Sequence, residues 1–188
     1  MSHFAISAML QLAREERIDY REIDQIRVGV NQGAYNVVCD PLEAKRNPSS
    51  PPEALFSLPY TVASALVRGH VLLEDLTPEA IQDKEVRAIA NKITPTVDPA
   101  IEKEFGRVIG PAVVEVTLKN GRKASRRVDF VKGHPNNPMT IDDCEEKFRN
   151  CLPSSAKPLD GKKVSALIKA VRELETLPDV SQLADDLR

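Results

Sequence analysis

Apolar side chains recur at helical spacing from the first residues of the chain. Between Ser2 and Arg17, Ile6, Met9, Leu10 and Ala13 fall at i, i+3, i+4 and i+7, one stripe of an amphipathic helix. The period then changes to two. Ile26, Val28 and Val30 alternate with Arg27, Gly29 and Asn31, the pattern of a half-buried strand. A second alternation surrounds Asn120 and Gly121, with Val114, Val116 and Leu118 on one side and Ala124, Val128 and Phe130 on the other. A two-residue loop would set Leu118 against Lys123 and Val116 against Ser125. A three-residue loop over Lys119, Asn120 and Gly121 sets Val116 against Ala124 and Ala112 against Val128. The second register is the expected one, with Gly121 left-handed in a bulge.

Further helices follow from spacing and start signals. Tyr60, Ala63, Ser64 and Val67 share a helical face after Pro59, and Gly69 can end that helix. Thr77, Pro78 and Glu79 form a helix start, Asp83 to Ile93 continues helical, and Thr94 to Val97 is extended, confined by Pro95 to a sheet edge. Thr140 opens a helix with Ile141, Cys144, Phe148 and Cys151 on its inner face. Val164, Leu167, Ile168, Val171 and Leu174 mark a last amphipathic helix, stopped by Pro178 before a short helical tail. From Asn31 to Pro52, the density of Gly33, Asp40, Pro41, Pro48, Ser49, Ser50, Pro51 and Pro52 predicts a long surface loop. The expected fold is α+β: a small, mainly antiparallel sheet with a β-hairpin over 113–131, covered by helices, plus a C-terminal amphipathic helix.

A length of 188 residues suits one domain or one domain with an appendage, and 41% hydrophobic with 29% charged residues is a globular balance. The formal charge of −2 argues against a surface for nucleic acid or anionic lipid, because 26 basic residues are scattered among 28 acidic ones. A basic run at Arg122, Lys123, Arg126 and Arg127 falls on the hairpin and is expected as a solvated strand face. The three cysteines match no metal spacing, and Cys144 and Cys151, seven apart, are expected to pack as small apolar groups. No leader pattern and no window of about 20 apolar residues occurs, so the expectation is a soluble, cytoplasmic protein without a membrane partner.

Three segments together resemble the MmgE/PrpD family. They are the opening His3-Phe4-Ala5-Ile6-Ser7-Ala8; Ala54-Leu55-Phe56-Ser57-Leu58-Pro59-Tyr60 with Val62-Ala63 and Gly69; and Val113 to Gly133 running on through Pro135-Asn136-Asn137-Pro138-Met139-Thr140 to Lys147-Phe148-Arg149. The resemblance implies a small α+β domain, here residues 1–152, that partners a larger helical domain absent from this chain. Residues 153–188 would be a helical appendage packing on that absent domain. It also implies a homodimer and an activity on small polycarboxylates: dehydration of a 2-methylcitrate-like substrate, decarboxylation of cis-aconitate or epimerisation of iminodisuccinate. No cofactor and no obligatory metal are implied, and the chain by itself is expected to be inactive.

Such chemistry moves a proton near a carboxylate, so it needs an acid or base and cationic groups. The resemblance points to His3, whose imidazole titrates near working pH, as the catalytic candidate. Ser57 and Tyr60 fall at a helix start, where free amides can receive a carboxylate, although the favoured role of Ser57 is to cap that helix. Lys45 and Arg46 could clamp a carboxylate from the proline-rich stretch. His70 and His134 are expected to be exposed and structural. No Ser/His/Asp order, phosphate loop or metal-ligand cluster is legible. The competing reading is a non-enzymatic interaction or oligomerisation module, because the apolar stripe of the last helix must find cover.

Overall fold

A computed structural model describes residues 1–106, 108–181 and 183–184. The chain forms two compact units, Met1–Asn137 and Pro138–Arg188. In the first, four strands, β1 (Ile23–Val30), β2 (Ile93–Val97), β3 (Ala112–Leu118) and β4 (Lys123–Val128), form a sheet in the order β2-β1-β3-β4. The β1–β3 and β3–β4 pairs are antiparallel, whereas β1 and β2 are parallel, so the sheet is mixed. The parallel pair follows from the long helical crossover between these strands, which brings the chain back to re-enter in the same direction. Pro95 lies on β2, at the sheet edge.

The hairpin has the register that the apolar pattern requires. Val116 faces Ala124 and Ala112 faces Val128, with the turn closed by Leu118 N–H to the Arg122 carbonyl and Gly121 N–H to the Leu118 carbonyl. Gly121 has φ of 84°. One sheet face, carrying Ile26, Val28, Val30, Val114 and Val116, is buried beneath helices, while Arg27, Glu115 and Ser125 are aligned across the exposed face.

Helix α1 (His3–Glu15) packs over β3 and β4, but it buries Phe4, Ala5, Ala8, Met9 and Leu12 rather than the Ile6, Met9, Leu10, Ala13 stripe. The helix is apolar on two overlapping stripes, and the one bearing the small Ala5 and Ala8 allows the closer approach. The expected loop from Asn31 to Pro52 instead contains α2 (Gln32–Val38), α3 (Leu42–Arg46) and the start of α4 (Pro51–Leu55). Its turn-forming residues sit at helix starts. Asn31 caps α2 by accepting from Ala34 N–H, Pro41 precedes α3, and Pro51 and Pro52 occupy the first turn of α4, where a missing N–H breaks no helical bond.

Helix α5 (Leu58–Arg68) is buried without a break from Leu58 to Leu66, enclosed by α1, α3, α4, α6 (Lys84–Ala90) and β2. Gly69, with φ of 78°, ends it as expected. After Thr77 the chain makes only a 3-10 turn, Ala80–Gln82, before Asp83 caps α6. Helix α7 (Pro99–Phe105), which the apolar pattern does not announce, is started by Asp98 accepting from Ala100 and Ile101 N–H.

In the second unit, Thr140 and Asp143 form a reciprocal cap on α8 (Ile141–Cys151), and Asp160 caps α9 (Gly161–Arg172). Helix α9 buries Val164 and Leu167, and Leu174 lies beyond its end. Cys144 and Cys151 are exposed, contrary to expectation, because no residue of the strongly charged α8 is buried. Ile141, Cys144 and Phe148 face Leu167, Ile168 and Val171 across an apolar cavity of about 360 Å³. The helical tail expected after Pro178 falls partly on residues 182 and 185–188, which lie outside those described. Among the described residues no helix is long and apolar enough to cross a membrane.

The turn supplies a direct check. No atom would crowd a Cβ at Gly121, so Gly121→Val should lose stability through its left-handed backbone alone, by about 1–2 kcal/mol in urea unfolding. An unchanged midpoint would contradict the three-residue loop.

Candidate functional site

The start of α5 draws several candidate residues together. Ser57 is extended (φ −117°, ψ 114°), and its hydroxyl accepts from Tyr60 N–H at 3.0 Å while donating to the carbonyl of Lys45. One buried hydroxyl thus caps α5 and holds α3 against it. The Lys45 ammonium, half-buried, donates to the carbonyls of Val37 at 2.9 Å and Phe56 at 2.8 Å. It therefore joins the ends of α2 and α4.

Arg46 turns the other way. Its Nε and Nη2 donate to the Ile93 carbonyl at 3.1 and 2.7 Å, and Nη1 pairs with Glu43 at 3.1 Å. Tyr60 is wholly buried, with its phenol donating to the Asp75 carbonyl at 2.6 Å. Burial pushes the phenol pKa up, partly offset by Arg68. Lys45 and Ser57 are therefore bonded to each other, Tyr60 joins them through its amide, and Arg46 is fixed on β2.

His3 heads α1 and is exposed. Beside it, Ser2 is only 8% exposed, and its hydroxyl is buried without a hydrogen-bond partner. This site feature was invisible in the sequence, where Ser2 only marks the start of the first helical segment. Here Ser2 has helical dihedrals (φ −71°, ψ −14°) and caps nothing.

The C-terminal end of α5 holds a second polar group that the sequence did not single out. Arg68 pairs with Asp75 at 2.9 Å and Asp83 at 3.2 Å and donates to the Ala80 carbonyl at 3.0 Å. Asp75, 2% exposed, also accepts from Leu72 N–H at 2.6 Å and lies 3.1 Å from Nδ1 of the half-buried His70. The metal-capable atoms of His70, Glu74 and Asp75 lie within 4.8 Å of one another, the one such grouping found among the described residues. Neither ion pair was readable in advance, since the Arg68–Asp75 pair depends on how residues 69–76 fold back. His134 is half-buried against Phe130, with ring centroids 4.7 Å apart. The basic hairpin run is largely paired: Arg126 with Glu15 at 3.2 Å, Arg127 with Glu104 at 3.1 Å and Asp129 at 2.8 Å.

A helix-covered mixed sheet that opens on a histidine-initiated helix and carries the Phe56-Ser57-Leu58-Pro59-Tyr60 entry to a central helix places this chain in a known class. It belongs to the MmgE/PrpD family, whose C-terminal domain matches residues 1–174. The cis-aconitate decarboxylase of Homo sapiens is 31% identical over 141 residues, 75% of this chain and 28% of that protein. That of Mus musculus is 28% identical over 136 residues, 72% and 27% of the two chains. A cis-aconitate decarboxylase-like protein, oryM, from Aspergillus oryzae is 32% identical over 124 residues, 66% and 24%. The chain thus spans about a quarter of the length of these relatives.

Two measurements check the polar cluster. Arg68→Met strands the buried Asp75 carboxylate and should destabilise the protein by about 3 kcal/mol in urea unfolding. The Asp83 carboxyl would be raised by burial, but hydrogen bonds from Val86 N–H, the Arg68 guanidinium and Glu85 N–H hold it below its ordinary 3.8. A lowered folded pKa contributes stability that is complete above the unfolded value and lost as pH falls through the folded one. Wild type should therefore lose stability more steeply than Asp83→Asn as pH drops below about 4, and parallel curves would contradict this.

Proposed function

We propose that this chain forms one wall of an active cleft for a small polycarboxylate, and that its reaction is loss of carbon dioxide from a cis-aconitate-like substrate. The names of the three relatives favour decarboxylation over the dehydration of a 2-methylcitrate-like substrate or an epimerisation. The observation that carries the reading is the start of α1, where the exposed His3 stands beside the buried, unpartnered hydroxyl of Ser2. An unsatisfied buried hydroxyl costs about 1–3 kcal/mol, a cost that a ligand oxygen would remove. The first turn of a thirteen-residue helix adds N–H groups and a partial positive charge that favour a carboxylate.

In decarboxylation, the bond from a carboxylate carbon breaks and carbon dioxide leaves. The electron pair spreads over the adjoining unsaturated carbons and is quenched by a proton delivered to carbon. His3, as imidazolium, is the proposed donor, and α1 with Ser2 holds one of the remaining carboxylates. Lys45 uses two of its three N–H donors on the Val37 and Phe56 carbonyls, leaving a third for another carboxylate next to Ser57. Arg46 and Tyr60 act on the substrate through shape, Arg46 by fixing α3 on Ile93 and Tyr60 by fixing the chain near Asp75.

The remaining reactive groups come, in this proposal, from a helical partner domain. Residues 153–188 pack on that domain, and the assembled enzyme is a homodimer. An interaction or oligomerisation module is the second reading, favoured by Val37, Leu55 and Phe56, which are 41–55% exposed close to Lys45. The purified chain should release no carbon dioxide from cis-aconitate and should turn over neither methylcitrate nor iminodisuccinate. Adding cis-aconitate should nevertheless shift the amide resonances of Ser2, His3 and Phe4, and Ser2→Ala should weaken the response. Sustained turnover by the chain alone, or resonances that ignore cis-aconitate, would sink the proposal.

A further inference from the structure

The geometry points to a binding site for a divalent first-row transition-metal ion at the C-terminal end of α5, formed by His70, Glu74 and Asp75. The ligands lie beyond the C-terminal end of α5, whose eleven residues span roughly 16 Å from the Ser57 cap, and Tyr60 links the two regions by donating to the Asp75 carbonyl.

The first support is spacing. Nδ1 of His70 and Oδ2 of Asp75 are 3.1 Å apart, which fits a hydrogen bond but equally fits two neighbouring ligands, each about 2.1 Å from one shared ion. Glu74 brings a carboxylate oxygen within 4.8 Å of both. An imidazole and two carboxylates form a mixed nitrogen and oxygen set suited to manganese, iron, cobalt or zinc, with water completing the shell.

The second support is the preset state of Asp75. Its carboxylate is almost fully buried, with Oδ1 taken by Arg68 and one lone pair of Oδ2 taken by Leu72 N–H. The remaining lone pair of Oδ2 is directed to His70, so one ligand is oriented before an ion arrives. Arg68 occupies the opposite oxygen and does not block this one.

The third support is charge and access. Asp75, Glu74 and Asp83 outnumber Arg68, and the carbonyl end of α5 favours a cation. His70 is half-exposed and Glu74 exposed, which leaves a path from solvent. On binding, any proton on Nδ1 leaves to solvent, and the nitrogen lone pair is donated to the ion. The bond from His70 to Asp75 is thereby replaced by a shared ion that ties residues 70–75 together.

The test uses the full chain, stripped of metal with a chelator and titrated with manganese(II) alone. Free aqueous manganese is followed by its electron paramagnetic resonance signal. Manganese has little affinity for the exposed thiols of Cys144 and Cys151, which would confuse a zinc titration. One saturable site per chain is expected, with His70→Ala and Glu74→Gln each weakening it by roughly tenfold or more. Neither side chain is buried, and circular dichroism should show both variants folded. Manganese should also raise the unfolding midpoint of wild type, but not of His70→Ala. An absence of saturable binding below about 1 mM, or undiminished binding in either variant, would overturn the assignment.

Discussion

The complete burial of α5 is the constraint around which the first unit is arranged. From Leu58 to Leu66 no face of the helix meets solvent, so its terminal polar groups need partners in place. Ser57 serves the first turn, and Gly69 closes the last by donating its amide to the Ala65 carbonyl. The same demand extends outward, because α5 is covered by short helices with many carbonyls outside regular bonding. Basic side chains meet that demand: Lys45 on Val37 and Phe56, Arg46 on Ile93, Arg87 on Ile81 and Pro48, and Lys92 on Ile23. Hydrogen bonds from charged donors are worth about 1.5–3 kcal/mol each. They also explain part of the basic scatter in the sequence: these cations hold backbone and do not form a common charged surface.

Features set by nearest neighbours were legible in the sequence. The hairpin register follows from one turn and the need to face Val116 with Ala124, and the bounds of α5 follow from Ser57, Pro59 and Gly69. The misreadings share a different origin. The buried face of α1 depends on which of two apolar stripes meets the sheet. The sheet is mainly antiparallel, and the direction of β2, on which the apolar pattern is silent, depends on where a crossover lands. In the segment after Asn31, the prolines are as compatible with helix starts as with loops. Tertiary packing around α5, rather than local preference, settles that choice.

The candidate site shows the same division. A serine before a proline-containing helix start can be read as a cap, and Ser57 is one. The position of His3 entered through resemblance to a family, since a lone histidine carries no periodic signal. Asp75 could not be found at all: its significance comes from Arg68 and Leu72, which meet it only after the chain turns at Gly69. Ser2 was missed because a buried hydroxyl without a partner leaves no mark in residue spacing.

On the proposed function, the demands of folding and of a ligand fall partly on different residues. At the α5 start the two demands overlap. Lys45 and Ser57 bind backbone, so altering either would disturb the scaffold and the proposed carboxylate contact together. At the α1 start they diverge. The Ser2 hydroxyl is buried without a hydrogen-bond partner, and His3 beside it is exposed. A polar group buried without a partner works against the fold that contains it. On the proposed function it is satisfied by a ligand that arrives, so the α1 start can be altered while the α5 scaffold is left standing.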